Sequence, residues 1–172
     1  MLSHPLLPKL KQLRLSGILE SLEERAQIAR DQNLTPIEFF ALLLDDELDR
    51  RHQTATALKE RQACFESDKR LCDYNFTANP TLDKSVLEMA TCRFVEEREN
   101  WLLHGPTGVG KSHIATAIGR EAIRRGHSVL NCSTHRLLSD LFAARADGSY
   151  QRKMNRLAAV NLLILDDFGL RP

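Results

Sequence analysis

The sequence has 172 residues, of which 42% are hydrophobic and 27% are charged. This composition is typical of a globular protein and excludes a largely disordered chain. No apolar run reaches the roughly 18 residues that a membrane-spanning helix needs. The first leucines alternate with Lys9, Lys11 and Arg14, so the N-terminus lacks the uninterrupted apolar core of a signal peptide.

The charges are unevenly distributed along the chain. Residues 1–79 carry 11 basic and 13 acidic residues, whereas residues 80–172 carry 13 basic and 10 acidic residues. Residues 120–156 alone hold eight basic side chains against three acidic ones. This pattern predicts either a surface for an anionic partner or a solvated helix face.

The spacing of the cysteines and histidines does not indicate a metal centre built from these side chains. The four cysteines form no CxxC pair, and the six histidines are scattered without an HExxH spacing. We therefore expect reduced thiols in a cytoplasmic protein, and no metal ligand among these two residue types.

The first third of the chain is predicted to be helical. Apolar residues recur at three- and four-residue intervals from Leu6 to Ala29, until polar residues 31–33 interrupt them. A new helix is expected at Thr35, with Pro36 at its first position and Glu38 completing a capping box.

This second helix carries a further apolar stripe that begins at Phe39. The stripe predicts a helix to about Leu71, with residues 54–56 as a candidate break. Nothing in residues 1–72 suggests catalysis, so we expect a helical domain that packs on itself or on a partner.

A domain boundary is predicted between residues 72 and 81. Asn79-Pro80 cannot continue a helix, and Tyr74 and Phe76 are aromatic residues in an otherwise polar linker. A helix over 83–97 and then alternating strands and helices follow, which predicts a parallel sheet with right-handed crossovers. The expected strands are 101–104, 128–132 and 161–165, and the expected helices are 111–125, 136–145 and 150–158.

The stretch GPTGVGKS, from Gly105 to Ser112, fits the pattern G-x-x-x-x-G-K-[ST]. Its glycines allow backbone N–H groups to surround phosphate oxygens, and the following helix adds its positive N-terminus. Lys111 can reach the β- and γ-phosphates, and the Ser112 hydroxyl can bind Mg²⁺. Because the motif follows a predicted strand and opens a predicted helix, we interpret it as a phosphate-binding loop.

Two carboxylates follow the last apolar run, residues 162–165. Asp166 is placed where such nucleotide-binding proteins hold the Mg²⁺ shell. Asp167 is a candidate general base that polarises a water molecule, although a strand-end acid without catalytic duty is the alternative.

Several stretches together resemble the IstB-type AAA+ ATPases, helper proteins of insertion-sequence transposases. These are ENWLLHGPTGVGKSHIATAIG, LLSDLFAARADGSYQRKMNRLA and LLILDDFGLRP, together with the N-terminal stretches LLPKLKQLRLSGILESLEERA and FFALLLDDELDRR. The resemblance implies ATP and Mg²⁺ as ligands, self-assembly on DNA without sequence preference, and delivery of target DNA to a transposase. Helicase loaders of the DnaC type are related and remain an alternative, as does a nonfunctional remnant that at most binds nucleotide. A small P-loop kinase is disfavoured, because nothing resembles a substrate-binding lid.

The resemblance also assigns roles to individual residues. Asp167 and Lys111 are the expected catalytic residues, and Ser112 and Asp166 the expected Mg²⁺ ligands. Asp167 departs from the broader AAA+ pattern, which has Glu there, so slow hydrolysis is expected. The expected nucleotide contacts are Gly105, Pro106, Thr107, Gly108, Val109, Gly110, Lys111, Ser112 and His113, and the expected DNA contacts are Arg145, Arg152, Lys153 and Arg156.

The fold class implied is an α/β P-loop NTPase sheet that is incomplete at its C-terminus, with a helical N-terminal domain over 1–72 and a partial AAA+ domain over 73–172. In AAA+ sheets the strand before the P-loop lies between strands four and five. The resemblance places only the first three strands in this chain, so we expect 101–104 to lack both neighbours. We also expect a truncated protein with a half-built ATP site and negligible hydrolysis alone.

Overall fold

A computed structural model of the protein describes residues 5–76 and 83–169, with the side chains of 83–85 left out. The predicted break at Asn79-Pro80 lies outside these residues. The helices are α1 (Leu6–Gln12), α2 (Ser16–Asp31), α3 (Pro36–Ala63), α4 (Asp83–Ala90), α5 (Arg93–Glu96), α6 (Lys111–Arg124), α7 (Thr134–Ala146) and α8 (Tyr150–Ala158), and the strands are β1 (Val129–Ser133) and β2 (Leu162–Asp166).

The chain divides into two compact units, Met1–Ala57 and Leu58–Pro172. The division falls within α3. The predicted domains, a helical domain over 1–72 and a nucleotide-binding domain over 73–172, stay a prediction. None of the helices within 5–76 and 83–169 combines the length and apolarity that crossing a bilayer requires.

In the first unit, α2 and α3 approach each other closely at Gly17. A Cβ atom there would lie 2.7 Å from both the Asp46 carbonyl oxygen and the Glu47 Cα. The Gly17 N–H donates to the buried Glu47 carboxylate at 2.7 Å, and Arg25 forms a two-point ion pair with Asp46. Polar contacts therefore fix this helix pair.

The start of α3 confirms the predicted capping box. The Thr35 N–H donates to the Glu38 carboxylate at 2.8 Å, and the Glu38 N–H donates to Thr35 Oγ1 at 3.3 Å. The predicted end at Leu71 and the break at 54–56 were wrong. Residues 54–56 stay helical, and α3 ends at Ala63 because Cys64 adopts a left-handed conformation with φ of 58°.

The second unit is built around α6, whose inner face is buried. Two apolar clusters cover it, and Leu162 of β2 and Val95 contact both. The first contains Ala63, Cys92, Ala122, Ile123 and Val129, and the second contains Val86, Met89, Phe94, Ile114 and Ile118.

The two strands pair in parallel, as predicted. The register joins Val129 to Leu162 at one end and Ser133 to Asp166 at the other. The connection through α7 and α8 is the expected crossover between parallel neighbours.

The prediction of a strand over 101–104 was wrong as a description of this chain. Within the described residues the sheet contains only β1 and β2, so 101–104 has no strand to pair with. Trp101 and Leu103 nevertheless pack against the second apolar cluster, while Leu102 is 75% exposed. Half-buried and exposed side chains thus alternate along this segment, but the hydrogen-bonded ladder that defines a strand is absent from it.

The single helix predicted over 83–97 is also corrected. It is divided into α4 and α5, because Cys92 takes a left-handed conformation with φ of 58°. The Cys92 side chain is buried in the first apolar cluster. Burial also raises the pKa of the Cys92 thiol, which favours the protonated thiol over the thiolate there.

Candidate nucleotide-binding site

The loop 105–110 joins the extended segment 101–104 to α6. Gly108 and Gly110 have φ of 87° and 90°, a region that side chains with a Cβ atom rarely adopt. Gly110 caps α6, and its carbonyl oxygen accepts from the Ile114 N–H at 2.9 Å. The two glycines thus allow the chain to turn directly into the helix.

The N-terminus of α6 is open to an anion. The first N–H groups of a helix have no partner within it. Among the described residues, no carbonyl oxygen or side chain accepts from the N–H groups of Lys111, Ser112 or His113. These donors and the helix dipole favour a negatively charged group at this position.

The Lys111 ammonium group lies against the loop that precedes it. Its Nζ donates to the Gly105 carbonyl oxygen at 2.9 Å and to the Pro106 carbonyl oxygen at 2.8 Å. The loop itself therefore places a positive charge beside the open helix end.

Ser112 and Asp166 are brought together from positions 54 residues apart. The Ser112 hydroxyl donates to the Asp166 carboxylate, Oγ to Oδ1, at 3.1 Å. The same carboxylate oxygen accepts from the Asp167 N–H at 3.0 Å, and the Asp166 carbonyl oxygen accepts from Thr134 Oγ1 at 2.9 Å. The acid at the end of β2 is thus fixed to the starts of α6 and α7.

Asp167 follows β2 in a left-handed conformation, with φ of 55°, and is exposed. Among the described residues its carboxylate forms no hydrogen bond or ion pair. The structure therefore leaves the carboxylate accessible at the same end of the sheet as Asp166, and its catalytic role stays a prediction.

The residues present fit a nucleotide with Mg²⁺. Ser112 and Asp166 offer two hard oxygen ligands, and Mg²⁺ in nucleotide sites takes its other ligands from phosphates and water. Within residues 5–76 and 83–169, no cluster of three or more His, Cys, Asp or Glu side chains could hold a metal. The pair of Ser112 and Asp166 suits a metal whose other ligands come from the nucleotide and from water.

Arg120 is a residue of this region that sequence reasoning missed. Its guanidinium group contacts Glu60 at 3.3 Å, Asp68 at 3.2 Å and the Ser67 carbonyl oxygen at 3.1 Å. It also lies 5.0 Å from the centre of the Phe65 ring. These contacts attach α6 to residues 60–68. No local sequence motif predicts the contacts of Arg120, because its partners are distant in sequence.

Tyr74 is a second residue whose contact was not foreseen. The sequence placed it in an otherwise polar linker. In the structure it packs on the second apolar cluster, and its hydroxyl donates to the Val109 carbonyl oxygen, within the loop, at 3.0 Å.

The four candidate DNA contacts lie on or beside α7 and α8. Arg145 stacks over the Tyr150 ring at 5.1 Å, and the Lys153 ammonium donates to the Asp140 carbonyl oxygen at 2.8 Å. Arg152 and Arg156 are exposed. Arg156 also lines a cleft of about 330 Å³ with Lys59, beside the start of β1.

Comparison with known proteins agrees with this geometry. A parallel α/β sheet, a glycine loop that opens a helix and an acid at a neighbouring strand end define the fold as that of a P-loop NTPase. Residues 8–172 match the family described as IstB-like ATP binding protein. The chain belongs to this family.

Individual relatives give the same result. The chain is 39% identical to an ATP-binding protein in an insertion sequence of Mycobacterium tuberculosis, over 94% of this chain and 65% of the relative. It is 39% identical to the IS1162 ATP-binding protein of Pseudomonas fluorescens, over 99% of this chain and 74% of the relative. It is 38% identical to the IS21 ATP-binding protein of Pseudomonas aeruginosa, over 97% of this chain and 62% of the relative. The chain thus spans about two-thirds of the length of these relatives.

Proposed function

We propose that the chain binds ATP together with Mg²⁺ at residues 105–113 and Asp166. The observation that supports this most strongly is the 3.1 Å hydrogen bond between Ser112 and Asp166. A glycine-rich loop alone has many uses, but a hydroxyl at the helix start bound to an acid at a strand end is the pair of groups that an ATP-bound Mg²⁺ requires.

Each group has a distinct role in this proposal. The loop and the first N–H groups of α6 would bind phosphate oxygens, and Lys111 would compensate the β- and γ-phosphate charge. Ser112 and Asp166 would hold Mg²⁺, which neutralises charge on those phosphates. Asp167 would accept a hydrogen bond from the water that attacks the terminal phosphate and orient it.

The biological role that we propose is that of a helper in transposition. Family membership and relatives described as insertion-sequence ATP-binding proteins support this proposal. DNA and a transposase would be the partners, and copies of the protein would assemble on DNA. The basic side chains at 145, 152, 153 and 156 would contact phosphates without reading base sequence.

Nucleotide binding is tested by Lys111→Ala. We expect ATP affinity, measured by competition with a fluorescent nucleotide, to fall by two orders of magnitude or more, because a phosphate cluster would lose its main cation. Lys11→Ala, in α1, removes the same charge far from the loop in sequence and should leave affinity unchanged. Equal affinity in the two variants would refute the site.

Hydrolysis is tested separately by Asp167→Asn. The amide cannot act as a base, so ATP binding should persist while turnover of the longer family protein falls. An unchanged turnover rate would remove the catalytic assignment of Asp167 and leave the binding site intact.

DNA contact is tested by reversing the charges of Arg152, Lys153 and Arg156. Binding to unrelated duplexes should weaken about equally, and the dependence of affinity on salt should flatten. The same reversal at Lys9, Lys11 and Arg14 is the matched control. An unaltered salt slope in a filter-binding titration would place the three residues on another surface.

The partner is tested by parallel pull-downs with the transposase of the insertion sequence and with the replicative helicase. Retention of the transposase alone is expected. Retention of the helicase alone would favour the helicase-loader alternative.

A further inference from the structure

Tyr74 lies against the phosphate loop from the side of the preceding segment. It is half-buried and packs on the second apolar cluster, the one that contains Ile114 and Ile118 of α6. Its hydroxyl reaches the Val109 carbonyl oxygen at 3.0 Å. The contact therefore joins a side chain of the segment 70–76 to the backbone of the loop 105–110.

The ring of Tyr74 is fitted to the same part of the loop. A Cβ atom at Gly110 would lie only 2.7 Å from Tyr74 Cε2. The ring also meets His113 edge to face, with 5.3 Å between ring centres and an angle of 73°. Tyr74 therefore contacts the loop, its last glycine and the first turn of α6.

A second hydrogen bond holds the segment in place. The His113 Nε2 lies 2.9 Å from the Arg70 carbonyl oxygen. Phe76 packs edge-on against Tyr74 at 5.0 Å. Residues 70–76 are thus attached to the loop and α6 at two points, which limits the freedom of the Tyr74 hydroxyl.

The hydroxyl acts on one particular peptide unit. In a planar trans peptide the C=O and the following N–H point in opposite directions. A hydroxyl that holds the Val109 C=O on the Tyr74 side therefore directs the Gly110 N–H away from Tyr74. Rotation of this peptide unit changes ψ of Val109 and φ of Gly110, and glycine tolerates both signs of φ. Without the hydroxyl contact the peptide would therefore rotate at little cost and present its carbonyl oxygen in place of its N–H.

We propose that Tyr74 is a positioning residue for the phosphate loop: its hydroxyl fixes the Val109–Gly110 peptide so that the Gly110 N–H is available to a phosphate oxygen. The inference rests on the proposed nucleotide site. A carbonyl oxygen turned toward a phosphate would repel it, so the fixed orientation favours nucleotide binding. The ring supplies packing, and the hydroxyl supplies the orientation.

The test compares Tyr74→Phe with Tyr150→Phe. The first keeps the ring and its packing and removes only the hydroxyl, whereas the second makes the same change at the other tyrosine of the chain. For Tyr74→Phe we expect faster amide hydrogen exchange in peptides covering 105–113 without nucleotide, and ATP affinity about fivefold weaker, the effect of one hydrogen bond. The thermal midpoint of Tyr74→Phe should equal that of Tyr150→Phe. If the Tyr74 hydroxyl served only to stabilise the fold, the midpoint of Tyr74→Phe would be lower.

The outcomes separate this inference from the site itself. If the wild-type chain binds ATP, an unchanged affinity of Tyr74→Phe overturns the inference, as does a loss of affinity fully accounted for by a lower thermal midpoint. If the wild-type chain binds no ATP, the proposed site fails. In that case exchange alone decides, and equal exchange rates in 105–113 overturn the positioning role.

Discussion

The contacts within the first compact unit differ in kind from those within the second. The first unit buries few large apolar side chains, among them Ile18 and Leu43, and it buries the carboxylate of Glu47. The second unit contains two apolar clusters around α6. One unit therefore depends on polar contacts at a close helix approach, whereas the other depends on an apolar core.

The difference is visible in what each unit leaves exposed. Along α3, Ile37, Phe40, Leu44 and Leu48 are all exposed, with Ile37 at 82%. The apolar stripe that predicted a packed helix is thus only partly used within the unit. In α6, by contrast, the same kind of stripe is buried almost completely. An amphipathic pattern predicts a helix, but it does not predict how much of the apolar face is covered.

The largest expected effect on stability is in the second unit. Ile123→Ala removes a fully buried side chain of the first cluster and leaves a cavity, so the free energy of unfolding should fall by roughly 2–5 kcal/mol. The single tryptophan, Trp101, reports on this unit by fluorescence during denaturation. Leu138→Ala, at a half-exposed position of α7, is the control and should cost much less. Similar losses for both variants would contradict the described core.

A smaller effect is expected at the helix approach in the first unit. Gly17→Ala introduces a Cβ atom within 2.7 Å of the α3 backbone, which cannot move independently of the helix. The helices must separate, and the free energy of unfolding should fall by roughly 1–3 kcal/mol. This loss of stability is measured by amide hydrogen exchange in peptides from 16–31 and 36–57. Unchanged exchange in those peptides would show that α2 and α3 are not in this contact.

The same substitution in α6 should have a weaker effect. A Cβ atom at Gly119 would meet the ends of the Ile164 and Phe65 side chains, at 2.7 and 2.9 Å. These ends can shift, and alanine favours helix by up to about 1 kcal/mol over glycine. Gly119→Ala should therefore alter stability by less than Gly17→Ala, as measured by denaturant titration. A greater loss of stability for Gly119→Ala than for Gly17→Ala would contradict the closer helix approach described in the first unit.

The smallest effect is a dependence on acid in the first unit. Hydrogen bonds from Arg25 and Ser21 lower the pKa of Asp46 to about 2. A carboxyl group whose pKa is lowered by folding stabilises the fold above its unfolded value, near 4, and loses this contribution as the pH falls through 2. The difference in melting temperature between wild type and Asp46→Asn should thus be largest above pH 4 and close toward pH 2. Asp45→Asn, at the exposed neighbouring position, is the control and should show a smaller difference. A melting-temperature difference between wild type and Asp46→Asn that does not change with pH would show that the Arg25–Asp46 ion pair does not stabilise the fold.

Sequence reasoning succeeded where a pattern is local. The capping box at Thr35, the bounds of α8 and the parallel pairing of the two later strands all follow from neighbouring residues or simple periodicity. The glycine-rich stretch that opens α6 was found in the same way, and its phosphate-binding role stays a prediction. Its hydrogen bond to Asp166 agrees with the spacing of the two motifs.

It failed where distant residues decide. Whether 101–104 forms a strand depends on a neighbouring strand, and α4 ends at Ala90 because the buried Cys92 turns the chain. The contacts of Arg120 and Tyr74 join residues about 35 to 60 positions apart, and neither has a local signature. The site's motifs were therefore predictable, and the side chains that hold them in place were not.

The position of the Lys111 ammonium group has a thermodynamic consequence. Two of its three protons already bond to the Gly105 and Pro106 carbonyl oxygens, so an arriving phosphate exchanges hydrogen bonds and gains few new ones. What the lysine adds on binding is mainly charge. Ligand preference should then follow the number of negative charges, with ATP above ADP and ADP above AMP, and added salt should narrow the differences between them.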